Sequence, residues 1–235
     1  MGQLRDAAAH GMAWLGGVAF VLSLACFVYS YFISFSDAAA IGSGSAALAA
    51  DFALFTTFAL HHSVLARSGA KRWIASVTGP RAERSMYVWV ASILFIVVCV
   101  LWQPVPGVFY QHRGTLAGLH WTVVAAGAWL TLRAAAVLDP LELAGIRQIR
   151  GDLDPPRFRV VGPYKYLRHP IYLGWVLVVF GVPEMNGTRL AFAVISTAYL
   201  VIAIPFEERS LIEVFGDHYR DYQRAVRWRI APGVW

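Results

Sequence analysis

Only two cysteines occur in the 235 residues, Cys26 and Cys99, and each lies inside an apolar run. A disulfide framework or a thiolate metal site needs more, so both are expected to pack as small hydrophobes. Charge is scarce too: Asp, Glu, Lys and Arg make up 14% of the chain, against about 25% in soluble domains. No repeat recurs at the roughly 20–50 residue period of solenoids and propellers. No low-complexity tract extends beyond the short "GSGSAA" at 42–47. No His, Cys and carboxylate spacing suits a metal, so none is expected.

What is present is apolar. Hydrophobic residues form 58% of the chain, above the roughly 45–50% of soluble domains. Runs at Trp14–Phe35, Ala46–Ala66, Met86–Trp102 and Leu116–Leu138 each approach the ~20 residues that cross the hydrocarbon. A fifth run, Ile171–Pro183, is too short for a comfortable crossing. Only "EMNGT" separates it from a sixth, Leu190–Phe206, so the last two are expected to form a helical hairpin. Arg5 precedes the first run and "DAAA" follows it in the manner of a cleavage site. A signal peptide's apolar core is about 7–15 residues, however, and this run is longer, which predicts a retained helix.

The basic residues alternate between loops. Arg67, Lys71, Arg72, Arg81 and Arg84 follow run two; Arg147, Arg150, Arg157, Arg159, Lys165 and Arg168 follow run four; the tail carries more. The intervening loops hold none at 36–45, then Arg113 alone and Arg189 alone. Six passages with both termini in the cytoplasm satisfy the positive-inside rule at every loop. The net charge of +6 is then explained by topology and by attraction to anionic lipid head groups, without nucleic acid. The expected fold is an all-α polytopic membrane bundle of five to six transmembrane helices, 1–235 forming one domain. Residues 1–138 supply four helices, and 139–235 supply a long loop, the hairpin and an amphipathic C-terminal helix.

Chemistry-bearing residues concentrate after 139. In "DLDPPRFRVVGPY" (152–164) Pro155 and Pro156 forbid a helix, and an ordered loop of that length between spans is usually a lid or binding element. In "GPYKYLRHPIYLGW" (162–175) Pro170 suits the first position of helix five, which places His169 at its cap. His169 and Tyr172, three apart, then share a face. The positive start of that helix favours an anion, with Arg168 beside it, and Gly174 allows close approach of another backbone or a flat ligand. In a hairpin the end of helix six, "IPFEERSLIEVFG", lies beside the start of helix five. Glu207 and Glu208 are therefore expected near Arg168, His169 and Tyr172. An anion-seeking helix start, a carboxylate pair and aromatic rings suit a zwitterionic, partly aromatic ligand carrying positive charge. Polar groups bordering a bilayer are costly without a role.

"GPYKYLRHPIYLGW" followed at this spacing by "FEERSLIEVFGDHYRDYQRAV" resembles the isoprenylcysteine carboxyl methyltransferase and phospholipid methyltransferase superfamily over about residues 160–229. The resemblance implies S-adenosylmethionine as cofactor at the cytoplasmic side, with Tyr164, Arg168, His169, Pro170, Tyr172, Gly174, Glu207 and Glu208 forming or bordering its site. "LHHSVLARSGAKRW" (60–73), "ERSMYVWVAS" (83–92) and "LAGIRQI" (143–149) are similar to the bacterial methanethiol S-methyltransferase and NnrU-like subgroup. That subgroup tends to carry a histidine in an HFDLFGLRQ-like segment where this chain reads "LDPLELAGIRQ" (138–148), so the acceptor stays open. It is a thiol of the methanethiol kind, an isoprenylcysteine-like carboxylate or a lipid amine.

The reaction implied is an in-line displacement at a sulfonium methyl. His61 and His62, ahead of Arg67, supply imidazoles able to remove a proton from a thiol, only a few per cent of which is thiolate at neutral pH; Arg147 and Gln148 are placed to hold the acceptor. Two other classes compete. Membrane sterol reductases, which use a reduced nicotinamide dinucleotide phosphate, also carry an "RHP.Y.G" element but continue as NYxGE, where this chain reads "IYLGW". A non-enzymatic membrane protein binding haem or an ion through paired histidines is the other. The expected partners are a small or lipophilic methyl acceptor and membrane lipids, and the expected location is a bacterial inner membrane.

Overall fold

The computed structural model describes residues 2–36, 44–65, 75–76, 79, 83–138, 146 and 158–233. The described chain is overwhelmingly helical and falls into two compact units, one built from 1–38, 45–103 and 139–155, the other from 39–44, 104–138 and 156–235.

In the first unit, α1 (Gly2–Tyr29) runs into a π-helical turn at Ser30–Ser34, followed by α2 (Gly44–Leu65) and α3 (Glu83–Leu101). α1 packs on α3 because Gly16 leaves room for an indole: a Cβ there would stand 3.2 Å from Trp89. Trp89 then donates its Nε1–H to the Met12 carbonyl at 2.9 Å. Aromatic contacts fill the interior, Phe27 against Phe95 at 5.9 Å and Phe58 against Phe95 at 5.2 Å between ring centroids. Asp51 of α2 is fully buried, and its Oδ1 accepts from the Gln103 amide at 2.7 Å. A buried carboxylate is tolerated only when bonded in this way.

In the second unit, β1 (Val108–Gln111) leads to α4 (Gly114–Ala135), which tightens to a 3-10 turn at Ala136–Leu138. A further 3-10 turn, Gly162–Lys165, precedes α5 (Pro170–Phe180), β2 (Glu184–Asn186), α6 (Gly187–Phe215) and α7 (Asp217–Ala225). α5 and α6 form the expected hairpin. Eleven residues at 1.5 Å each make α5 roughly 16 Å long, about half the hydrocarbon thickness. The "EMNGT" connector is not a bare turn: β2 pairs antiparallel with β1, Gln111 opposite Glu184 and Val108 opposite Asn186. Asn186 then caps α6, accepting from the Arg189 amide at 2.9 Å.

α4 and α5 cross at two reciprocal glycines. A Cβ on Gly127 would lie 2.7 Å from the Gly174 carbonyl oxygen, and a Cβ on Gly174 would lie 2.7 Å from that of Gly127. Small residues at such a crossing let backbones approach, which is how helices pack where lipid is as apolar as the side chains. The outward face of α4 is left apolar, with Leu119, Trp129 and Leu132 all exposed.

Among the described residues, four helices are long and apolar enough to cross a membrane: His10–Ser34, Glu83–Leu101, Gly114–Leu138 and Gly187–Phe215. Of the other two expected runs, the fifth is the short α5, and the second lies in α2, where Asp51 and the paired histidines interrupt the apolar sequence. The chain is an all-α integral membrane protein.

Candidate functional site

The start of α5 is organised by its sequence. Pro170 occupies the first helical turn, where its missing N–H costs nothing, and His169 caps it with φ −125° and ψ 61°. The amides of Arg168 and His169 donate to the carbonyls of Trp228 (3.0 Å) and Arg229 (2.8 Å). The segment after α7 therefore lies as a strap along the entry to α5. The Arg168 guanidinium holds the same strap through the Val226 carbonyl at 2.9 Å.

Glu207 and Glu208 arrive from the far end of α6. Pro205, inside the helix, removes one rung of the backbone ladder just before them. Glu208 is enclosed, its side chain 5% exposed. It accepts from Arg168 Nε at 2.7 Å and Gln223 Nε2 at 3.1 Å, His169 Nε2 reaches it at 3.4 Å, and Arg229 Nε lies 3.5 Å away. A buried carboxylate needs that many partners. Glu207 is its opposite, with a side chain 42% exposed. It accepts the hydroxyl hydrogen of Tyr172 and lies 3.6 Å from His169 Nδ1. The His169 ring thus stands between the two carboxylates and is stacked on Tyr172, centroids 5.2 Å apart and planes 22° from parallel.

Aromatic residues line the flank. The Tyr222 hydroxyl donates to the Tyr164 carbonyl at 2.7 Å and approaches that of Leu167 at 3.2 Å, pinning the 3-10 turn to α7. Burial, and then the negative Glu207, push the Tyr164 phenol up to about 12. Burial likewise pushes up the phenols of Tyr219 and Tyr222, which pack with Val226 and Phe158 under the strap. Gly174 is buried at the α4–α5 crossing, where the backbone it admits is that of Gly127.

Of the residues singled out in the sequence, the structure brings Tyr164, Arg168, His169, Pro170, Tyr172, Glu207 and Glu208 together at one end of the second unit. His61 and His62 belong to the first unit. There the Tyr87 hydroxyl lies 2.8 Å from His62 Nδ1, and the His61 ring is stacked on the Tyr87 ring. Among the described residues, neither buried His61 nitrogen has a hydrogen-bond partner. Arg84 places its guanidinium carbon 5.2 Å from the Tyr87 ring centre. Arg67, Arg147 and Gln148 lie outside the described residues. Sequence reasoning missed Gln223, Arg229 and the strap carbonyls; the polar-aromatic run "DYQRAVRW" was their one visible signal.

A half-open carboxylate beside two stacked rings and a helix start can seat a cation on one side and an anion on the other. The enclosed Glu208 fixes the elements that present it.

The family model described as phospholipid methyltransferase matches residues 121–218, which include both halves of the site. A methanethiol S-methyltransferase of Pseudomonas deceptionensis is 37% identical over 186 residues, 77% of this chain and 71% of that protein. One of Mycobacterium tuberculosis is 34% identical over 186 residues, 77% and 76% respectively. Nurim of Xenopus laevis is 31% identical over 164 residues, 64% of this chain and 57% of that protein. No solved structure matches.

Proposed function

Because the chain belongs to the family of membrane methyltransferases that includes the methanethiol S-methyltransferases, we propose that it methylates a small or lipophilic thiol with S-adenosylmethionine. The observation that carries this is the half-open Glu207, aimed by Tyr172 and His169 while its neighbour Glu208 is fully engaged.

The donor set fits a ligand with a carboxylate, a cationic centre and an aromatic base. Glu207 offers negative charge to an ammonium or sulfonium, the stacked His169 and Tyr172 offer a flat face, and the start of α5 favours the carboxylate. When bound, S-adenosylmethionine supplies an electrophilic methyl group on positively charged sulfur. The chain's own residues hold and orient. Arg168 and Glu208 lock α5 to α6 and to the strap, so the rings and Glu207 are preset before binding. Presetting of this kind is worth up to ~7–11 kcal/mol when two reactants are held in line.

A thiol must lose its proton to react, and even a cysteine-like pKa of ~8.5 leaves little thiolate at neutral pH. In this reading the end of the second unit bearing Lys165, Arg168 and Arg227 faces the cytoplasm of a bacterial inner membrane, as do both termini.

Calorimetry on the purified protein tests the proposal. S-adenosylmethionine is expected to bind, and Glu207→Gln is expected to weaken it without altering the melting temperature. Binding of the reduced nicotinamide dinucleotide phosphate in place of S-adenosylmethionine would overturn the assignment in favour of a reductase.

A further inference from the structure

The end of α5 remote from His169 is held by side chains from β1 and α4. The carbonyls of Phe180 and Val182 accept from the Tyr110 hydroxyl at 3.3 and 3.2 Å. Between them, the Gly181 carbonyl lies 2.9 Å from His120 Nδ1. His120 Nε2 in turn lies 2.8 Å from His112 Nδ1, and the Tyr110 ring stacks on that of His112, centroids 4.9 Å apart. The His112 amide also donates to the Pro183 carbonyl at 2.8 Å. Among the described residues no third His, Cys, Asp or Glu joins the two imidazoles to hold a metal, so what the pair can exchange is a proton.

Counting hydrogens fixes how many. A carbonyl only accepts, so His120 Nδ1 carries a hydrogen. In the neutral ring its Nε2 is then a lone pair, and His112 Nδ1 supplies the hydrogen between the two rings. One proton can be added without breaking this contact, because a cationic ring still faces a neutral acceptor, and a bond of that kind is the stronger one. The carbonyl end of α5 favours that single charge. A second added proton removes the last lone pair between the rings and sets two N–H groups and two charges against each other at hydrogen-bond distance.

The other charged or titratable residues around the pair are Tyr110 on β1, Arg113 at the start of α4, Glu184 opposite Gln111 on β2, and Arg189 in the first turn of α6, which donates to the Glu184 carbonyl at 3.0 Å. From α5 the segment Phe180–Pro183 brings none. Among the described residues neither histidine pairs with a carboxylate. The residues of this unit outside the described ones carry a single ionisable side chain, Arg157, which adds no negative charge.

We infer that His112 and His120 form a one-proton latch between the start of α4 and the end of α5, closed when the pair is neutral or singly protonated and opened when acid supplies the second proton. The unfolded chain takes both protons where the folded pair takes one. The stability that the latch supplies is therefore present at neutral pH and is lost as pH falls below the ordinary imidazole value of ~6.5. The latch is remote from Glu207 and does not depend on the methyl-transfer proposal.

Equilibrium unfolding of the full chain in neutral detergent, repeated from about pH 8 to about pH 5 on the unaltered protein, His112→Gln and His218→Gln, tests it. Glutamine keeps a side chain that donates and accepts but takes no proton, and His218 is an exposed residue of α7. A difference of one bound proton changes the folding constant by up to about tenfold per pH unit. The unaltered protein and His218→Gln are expected to lose stability on the acid side more steeply than His112→Gln by up to that amount. Nitrogen NMR of histidine-labelled unaltered protein reads the pair without any variant. A coupling between two imidazole nitrogens across their shared hydrogen is expected at neutral pH, with one of those nitrogens still unprotonated when the other ring is cationic. Parallel pH curves for the unaltered protein and His112→Gln, or two fully protonated rings still coupled in the folded protein at about pH 5, would overturn the latch.

Discussion

Arg168 Nε lies 2.7 Å from Glu208 Oε1, and both side chains are more than nine-tenths buried. Removing one member of such a pair strands the other's charge, at a cost of about 3–5 kcal/mol. Glu208→Ala and Arg168→Ala are therefore expected to lower the melting temperature in detergent sharply. Glu207→Gln, one residue away and half-exposed, is expected to leave it unchanged. The same melt for all three would contradict the division between an anchoring and a ligand-facing carboxylate.

Tyr172 aims Glu207 through its hydroxyl. A hydrogen bond to a charged group is worth about 1.5–3 kcal/mol, so Tyr172→Phe is expected to raise the dissociation constant for S-adenosylmethionine by about tenfold or more. Because the same bond ties α5 to α6 while the ring still stacks on His169, the melting temperature is expected to fall by less than in Glu208→Ala. Calorimetry and a melting curve on one preparation read both.

Much of this arrangement was legible in the sequence. Pro170 after His169 marks a helix start, and an acidic pair closing the next apolar run must return to it once the fifth run is too short to do anything but fold back. The strap was not legible, because Arg168 and His169 bind it through the carbonyls of Trp228 and Arg229, and a carbonyl leaves no trace in residue identity. Gly174 was legible as a place of close approach, whereas its partner Gly127 sits in another helix with nothing local to announce it. β1 and β2, four and three residues long, are too short to show a two-residue alternation.

The glycine crossing yields a second stability test. Gly127→Ala is expected to destabilise the protein by about 1–3 kcal/mol, since overpacking forces α4 and α5 apart. Gly118→Ala on the same helix, where a Cβ meets nothing within 4 Å, is expected to be neutral or slightly stabilising. Chemical denaturation in mixed micelles compares the two.

Alkaline stability follows from Tyr164. Its folded phenol titrates near 12, above the ordinary value of 10.0, through burial and Glu207. The raised value means the folded state holds the proton more tightly than the unfolded chain does. The resulting stability is complete below about pH 10 and is lost as pH rises from there towards 12. Tyr164→Phe is expected to flatten that decline, read as the dependence of melting temperature on pH. An unchanged slope would show that Tyr164 is not the group responsible.

Transfer of labelled methyl from S-adenosylmethionine to methanethiol by the purified protein, run beside Glu207→Gln, measures the central claim most directly. The account predicts volatile labelled dimethyl sulfide from the unaltered protein and a loss of at least about tenfold in kcat/KM from the variant at equal stability. Label in no thioether product, or equal turnover by both proteins, would contradict it.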